Sequence, residues 1–314
     1  MLPGRFRFLN RPGSIGYRMD QARVIVSFGA ESIIETADGQ LYRALTRRRT
    51  GRAITGDRVD WTGQPPHQVA IERIHPRRNT LVRTNYRGQE RPLAANLEQL
   101  VVVCASEPAP DQRLLDRYLV LATSLNVTPV VVINKSDRLG DHAMPALQAA
   151  LAGAHARACP IHTVSCVTGD GLETLTAALA DRTSLLVGQS GVGKSSLINA
   201  LVPDRQARTQ AISEASGQGR HTTTETTLYP LPGGGDLVDS PGVRILRLAH
   251  LSRDVIESGF PEIVPYADAC EFRDCGHDRE PGCAVRDAVD QGRIDASRVA
   301  SLRELLAERN GGYS

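Results

Sequence analysis

The stretch TSLLVGQSGVGKSSLINAL, residues 183–201, constrains the fold more than any other part of the chain. An apolar run, a glycine-rich turn and a helix opening on Lys194-Ser195 fit G-x-x-x-x-G-K-[ST] in strand–loop–helix context. The glycines let backbone N–H groups converge on an anion at a helix N-terminus, so the loop must sit at the end of a buried strand. Such strands belong to parallel sheets covered by helices on both faces. LEQLVVVCAS, TPVVVIN and PIHTVSC read as further strands of this kind. DQRLLDRYLVLATSLN and a segment near 143–152 supply helical spacing between them. Together they predict an α/β unit over residues 96–248.

Each loop at the rim of that sheet carries chemistry. Gly188, Gln189, Ser190, Gly191, Val192, Gly193, Lys194, Ser195 and Ser196 form the phosphate cradle. In it Lys194 bridges the terminal phosphates and Ser195 holds Mg²⁺. PVVVINKSD, residues 129–137, lies upstream and carries Asn134, Lys135 and Asp137 in N-K-x-D spacing. Asp137 can accept from guanine N1–H and the exocyclic amine, Lys135 covers the base plane, and Asn134 ties the loop. Adenine presents no such donor pair, so the motif selects GTP over ATP. In TVSCVTGDGL, Ser165 and Cys166 bring a backbone N–H toward the guanine carbonyl, and the Cys166 thiol reads as a small packing group. GDLVDSPG ends a strand with Asp239, placed to hold Mg²⁺ through water, and Gly242 offers its N–H to a γ-phosphate.

Only two of the 37 basic residues are lysine, Lys135 and Lys194, and both fall inside these motifs. Where any surface cation would do, the chain uses arginine. A compact ammonium on a flexible stem reaches between phosphate oxygens as a planar guanidinium does not.

The rest of the chain divides in two. Through Ala95 there are 17 Arg against 8 acidic residues, a balance of +9, although the whole chain carries +2. ARVIVSFG, SIIETADG, QLYRALTR and DRVDWTG alternate apolar and polar residues between Gly or Asp-Gly turns. Residues 21–75 therefore read as a small OB-like β-barrel. Arg47, Arg48, Arg49 and Arg52 fall in one loop, which suits a polyanion such as RNA. Phe28, Tyr42 and Trp61 are the few aromatics, so backbone contacts outweigh base stacking. Residues 76–95 read as a linker and residues 1–20 as an unassigned extension.

Residues 249–314 turn helical and polar, closing on DASRVASLRELLAERN, for which Asp295 and Ser297 are both candidate caps. Cys270, Cys275, His277 and Cys283 are spaced C-x4-C-x-H-x5-C. Three thiolates and an imidazole suit a closed, tetrahedral structural Zn²⁺. Cys104 and Cys159 stand alone. Six cysteines in 314 residues do not make a disulfide scaffold, which points to a reducing compartment.

The motif order is NKSD, VSC, GQSGVGKS, GRHTTT, DSPG. A parallel sheet tolerates any visiting order if every loop ends at one rim. With a basic β domain before it and a Cys/His cluster after it, this order resembles the circularly permuted, ribosome small-subunit-dependent GTPases (RsgA/YjeQ). The resemblance runs from about residue 21 to near the end. It implies a multidomain fold: an N-terminal OB-like barrel, a central circularly permuted P-loop GTPase domain, and a C-terminal helical zinc-binding domain. It also implies hydrolysis of GTP to GDP and phosphate, late assembly of the small subunit, rRNA contact, and a cytoplasmic location. We expect one Zn²⁺ per chain, Mg²⁺ with GTP, no membrane partner, and a monomer. Rival readings are an RNA-binding assembly module that senses GTP without turnover, and a P-loop ATPase or kinase.

Two assignments lean on that resemblance. In GQGRHTTTETT, residues 217–227, a threonine reaches Mg²⁺ as in a switch I loop, Thr223 first, with Thr222 and Thr224 open. Val243 follows DSPG where many GTPases carry a water-positioning glutamine. His221, the imidazole of the switch loop, is the candidate to orient water instead.

Overall fold

The alternating text after Gln21 folds into short strands: β1 Asp20–Ser27, β2 Glu31–Thr36, β3 Leu41–Thr46, β4 Arg58–Gln64 and β5 His67–Ile74. The computed structural model describes residues 20–64, 67–84, 89–140, 143–216, 225–240, 248 and 251–309. β1, β2 and β3 form a meander, β3 pairs with β5 in parallel, and β4 pairs with both β5 and β1. The ring closes in the order 1-2-3-5-4-1, a five-stranded barrel of OB type with no free edge of its own. Val24, Ile34, Ala44, Val59, Trp61 and Ile71 fill it.

The segment 76–95 differs from the expected linker. It contains β6 Thr80–Thr84 and β7 Glu90–Ala95, paired antiparallel, with Leu81, Ala94 and Ala95 fully buried. A register shift between Leu81 and Val82 and a proline at position 92 break the period-2 text. Proline is tolerated because a two-stranded ribbon is all edge.

The second sheet is built from β8 Gln99–Ala105, β9 Thr128–Asn134, β10 Ile161–Thr163, β11 Thr183–Gly188, β12 Thr227–Pro230 and β13 Asp236–Asp239. Their order is β10-β9-β8-β11-β13-β12, parallel throughout except β12. β12 also pairs with β1 of the barrel through Val26 and Thr227, joining both sheets. α1 Gln112–Leu125, α2 Met144–Ala150, α3 Ala152–Ala156, α4 Leu172–Leu179 and α5 Lys194–Leu201 follow their strands. α6 Arg205–Ser216 lies between α5 and the switch-loop sequence. It is mostly polar, with Ile212 and Ser216 buried, and Arg208 pairs with Glu35 of the barrel.

α7 Arg253–Ser258, α8 Val264–Ala267, α9 Ala284–Asp290 and α10 Ala296–Arg309 complete the chain. Of the two candidate caps Asp295 fills the role, accepting from the Ser297 N–H at 2.8 Å. α10 lies along α1 through Arg113–Glu304 at 2.9 Å and Arg117–Glu308 at 2.6 Å. Beneath these surface pairs, Arg298 is buried against Asp116 and Glu262, with its guanidinium over the Phe260 ring.

Candidate functional site

β9, β11 and β13 end at one rim, so Asn134, Gly188 and Asp239 arrive there from three distant parts of the chain. Gly188 and Gly193 cannot be anything larger. A Cβ on Gly188 would stand 2.2 Å from the Val103 carbonyl oxygen, and one on Gly193 2.4 Å from Asn134 Nδ2. The second approach exists because Asn134 crosses between loops. Its Nδ2 donates to the Val192 carbonyl at 2.9 Å and lies 3.5 Å from that of Gly193, and the residue is 2% exposed.

Lys135, in left-handed backbone geometry, donates from Nζ to the carbonyls of Gly191 and Glu107, each at 2.7 Å. The N-K-x-D loop and the phosphate loop are therefore one hydrogen-bonded body, although 50 residues of chain text separate the motifs' roles in sequence order. Asp137 accepts from the Ser165 hydroxyl at 2.6 Å, and that hydroxyl in turn accepts from the N–H groups of Val167 and Thr168. The Ser165 N–H is committed to the Asp170 carbonyl, so Ser165 acts here as a tether for Asp137. Cys166 directs its thiol at Asn134 Oδ1, 3.5 Å away. Burial, with Asp137 nearby, pushes that thiol's pKa up and leaves it a poor nucleophile.

α5 starts at Lys194 with no side-chain cap, so its first N–H groups face the loop interior. Lys194 Nζ donates to the carbonyls of Gly188 and Gln189 at 2.6 and 2.5 Å. Ser190, Gly191, Ser195 and Ser196 are exposed on the rim, while Val192 is buried beneath it. Burial pushes the Asp239 carboxyl upward, and Arg205, donating to Asp239 Oδ2 at 2.6 Å, opposes that shift. An oxygen on Ser195 and a carboxylate on Asp239 are the hard donors Mg²⁺ takes, so the residues fit that ion.

His221, Thr222, Thr223, Thr224, Gly242 and Val243 lie outside the described residues. Their flanks do not. The Thr226 and Ser240 hydroxyls are 2.8 Å apart, and Thr55 of the barrel donates to the Thr226 carbonyl at 2.7 Å. Glu225 pairs with Arg91 of β7 at 2.8 Å. Neither Thr55 nor Arg205 is marked by any motif; both act across long sequence separations.

The four metal-ligand candidates come together. One donor atom from each of Cys270, Cys275, His277 and Cys283 lies within 4.8 Å of all the others. His277 Nδ1 is 3.7 Å from Cys270 Sγ and 3.6 Å from Cys283 Sγ, and those sulfurs are 4.0 Å apart. A tetrahedron with Zn–S arms of about 2.3 Å has edges of about 3.8 Å. Burial and the neighbouring thiols push Cys275 up to about 12, and burial pulls His277 down. A divalent cation bound there would displace the thiol protons, and a neutral His277 imidazole has a lone pair to offer it. On the far side of the ring, Nε2 faces Glu257 Oε1 at 4.0 Å. Arg253 holds both Glu257 and the Cys275 carbonyl.

The chain is similar to known proteins along most of its length. The model of the RsgA GTPase family matches residues 74–249. Small ribosomal subunit biogenesis GTPase RsgA of Pseudomonas fluorescens is 44% identical over 289 residues, covering 90% of this chain and 84% of that protein. The protein of the same name from Azotobacter vinelandii matches with the same identity and coverage. Among solved structures, YjeQ from Thermotoga maritima superposes with a TM-score of 0.75 at 27% identity, over 94% of this chain and 100% of that one. YloQ, described as a circularly permuted GTPase, superposes with a TM-score of 0.71 at 24% identity and covers 97% and 99%. That likeness shows the fold. With the family model spanning more than half of its length and relatives at 44% identity along most of it, the chain belongs to the RsgA GTPase family.

Proposed function

We propose that this GTP hydrolase works on the small ribosomal subunit during late maturation, and that docking on the subunit accelerates its turnover. The observation that carries the catalytic half is the bonding of Asn134 and Lys135 to the carbonyls of the phosphate loop. Reading guanine and holding phosphate are thereby one geometry, whatever the order of the motifs. Membership in a GTPase family removes the ATPase or kinase reading that the phosphate loop alone left open.

Asp137, steadied by Ser165, reads the guanine edge. The uncapped start of α5 and the Lys194 ammonium hold the phosphates; a charged phosphate oxygen draws that ammonium more strongly than the two neutral carbonyls it now bonds. Ser195, Asp239 and Thr223 would hold Mg²⁺, which would supply neutralisation of phosphate charge there. Gly242 offers its N–H to the γ-phosphate. His221 orients the attacking water, because the apolar Val243 has no group to do so. Electrostatic positioning of this kind provides most of the acceleration in phosphoryl transfer.

The flanking modules supply the docking. The barrel loop presents Arg47, Arg48, Arg49 and Arg52; Glu72 pairs with Arg47 and Arg49 and so tempers part of that charge. Trp61 is buried and packs on Tyr42, so rRNA contact there is phosphate-directed rather than stacked. The Cys270–Cys275–His277–Cys283 group holds one Zn²⁺ as a structural ion. No described helix is long and apolar enough to cross a membrane. A monomer in the cytoplasm fits these partners.

Lys194→Ala is expected to lower GTP turnover by about a hundredfold or more, since it removes a charge made for the transition state. Turnover by the unaltered chain with GTP and not ATP supports the reading. An unaltered chain that binds GTP and never hydrolyses it would leave only a GTP-sensing assembly module.

A further inference from the structure

Arg205 is fixed on Asp239 from several sides. Its Nη2 donates to Asp239 Oδ2 at 2.6 Å and its Nη1 to Asn199 Oδ1 at 2.8 Å, while its guanidinium carbon lies 5.5 Å from the centre of the Tyr229 ring. Tyr229 is buried, and its hydroxyl is 3.3 Å from Thr209, one turn further along α6. Residues from α5, α6, β12 and β13 thus hold one cation against the acid at the rim of the sheet. The Arg205 side chain is 19% exposed, so solvent does not erase its charge.

We propose that Arg205 is a tethered competitor of the magnesium ion, which takes the cation side of Asp239 and keeps the ion's affinity low while GDP is bound. The inference rests on reading Asp239 as the acid on the magnesium side of the nucleotide. Two outcomes are open to an arriving ion, and both weaken it. If the guanidinium leaves, its bonds to Asp239 and Asn199 are lost. If it stays, a like charge sits within a few ångströms of the ion. Magnesium binds through a near-octahedral shell of oxygens and retained waters, and a guanidinium on the carboxylate competes for the same lone pairs. GTP offers the ion an additional phosphate oxygen, so the nucleotide triphosphate overcomes Arg205 more readily than GDP does. Arg205 thereby makes magnesium retention depend on which nucleotide is present.

The test is binding of a fluorescent GDP to the full chain across a series of Mg²⁺ concentrations. Arg205→Gln is expected to lower the Mg²⁺ concentration at the midpoint by about fivefold or more, the size of a partly shielded ion pair. Arg205→Lys, which keeps the charge, stays near the unaltered chain. Arg208→Gln, on the next turn of α6 and paired with Glu35 instead, leaves the midpoint where it was. Asn199→Ala, an exposed position, loosens one of the holds and shifts the midpoint the same way by a smaller factor; it serves if Arg205→Gln does not fold. Midpoints for Arg205→Gln and Asn199→Ala equal to that of the unaltered chain would overturn the inference, as would an equal shift in Arg208→Gln. An unaltered chain that fails to bind GDP at any Mg²⁺ concentration overturns the reading of the site itself, and the inference with it.

Discussion

In the proposed reading of the site, Asn134 and Asp137 divide the recognition of one base between a structural and a chemical role. Asn134 commits its amide to the phosphate loop, and Asp137, bonded to Ser165, is the group proposed to face guanine. Replacing Asp137 by Asn turns an acceptor pair into one acceptor and one donor. Each lost charge-assisted bond is worth about 1.5–3 kcal/mol. Asp137→Asn is therefore expected to weaken GDP binding by about a hundredfold and to favour xanthosine diphosphate, as competition binding would measure. Retained guanine preference would remove Asp137 from the base. That these residues meet at one rim was legible because they sit in short motifs on an arginine-rich background, where Lys135 and Lys194 stand out. The tether by Ser165 and the pairing of Arg205 with Asp239 were not. Both join residues about thirty positions apart, and no local pattern encodes such a contact.

At the scale of elements, β8 shows what periodicity reads well: all seven residues are buried, as the apolar run after Gln99 requires in a parallel sheet. β6 and β7 show where it stops, at a bulge and a proline. α1 and α10 were both legible as helices, yet the charge between them was not. Arg298 and Asp116 are nearly inaccessible and pair inside the joint, with Glu262 as a partly exposed second acid. Asp116→Ala leaves a buried guanidinium short of its closest partner and is expected to cost about 3 kcal/mol in denaturant unfolding. Replacing both, Asp116→Leu with Arg298→Met, should recover most of that loss. A double variant no better than the single one would mean the ion pair itself stabilises the joint. The metal cluster belongs to this scale too. Elemental analysis is expected to find about one zinc per chain; Cys275→Ser should lose it and loosen residues 251–309 to proteolysis while GDP binding persists. Full retention of the metal in Cys275→Ser would exclude the four-ligand site.

For the whole molecule, the consequence of the permuted order is which elements adjoin the two switch sequences. β12 and β13 carry the flanks of two switch sequences, the threonine-rich stretch 217–227 and DSPG at 239–242, and β12 is bonded directly to β1 of the barrel. Thr55, reaching from the barrel to the Thr226 carbonyl, and Arg91, pairing with Glu225, grip the exit of one switch, while Thr226 and Ser240 join it to the entrance of the other. The module carrying the Cys/His cluster follows the second of these sequences and is bolted to α1 through Arg298. A surface that grips the barrel is therefore coupled, through Thr55, Arg91 and β12, to the flanks of both sequences. Two discrete arrangements of those loops, biased by docking, would make turnover respond to the partner. The direct measurement is GTP hydrolysis by the full chain with and without purified small ribosomal subunits. Subunits are expected to raise turnover by at least about tenfold, a barrier change of about 1.4 kcal/mol, with His221→Ala losing the stimulated rate while GDP affinity stays close to unaltered. Identical turnover with and without subunits would rule out activation by docking.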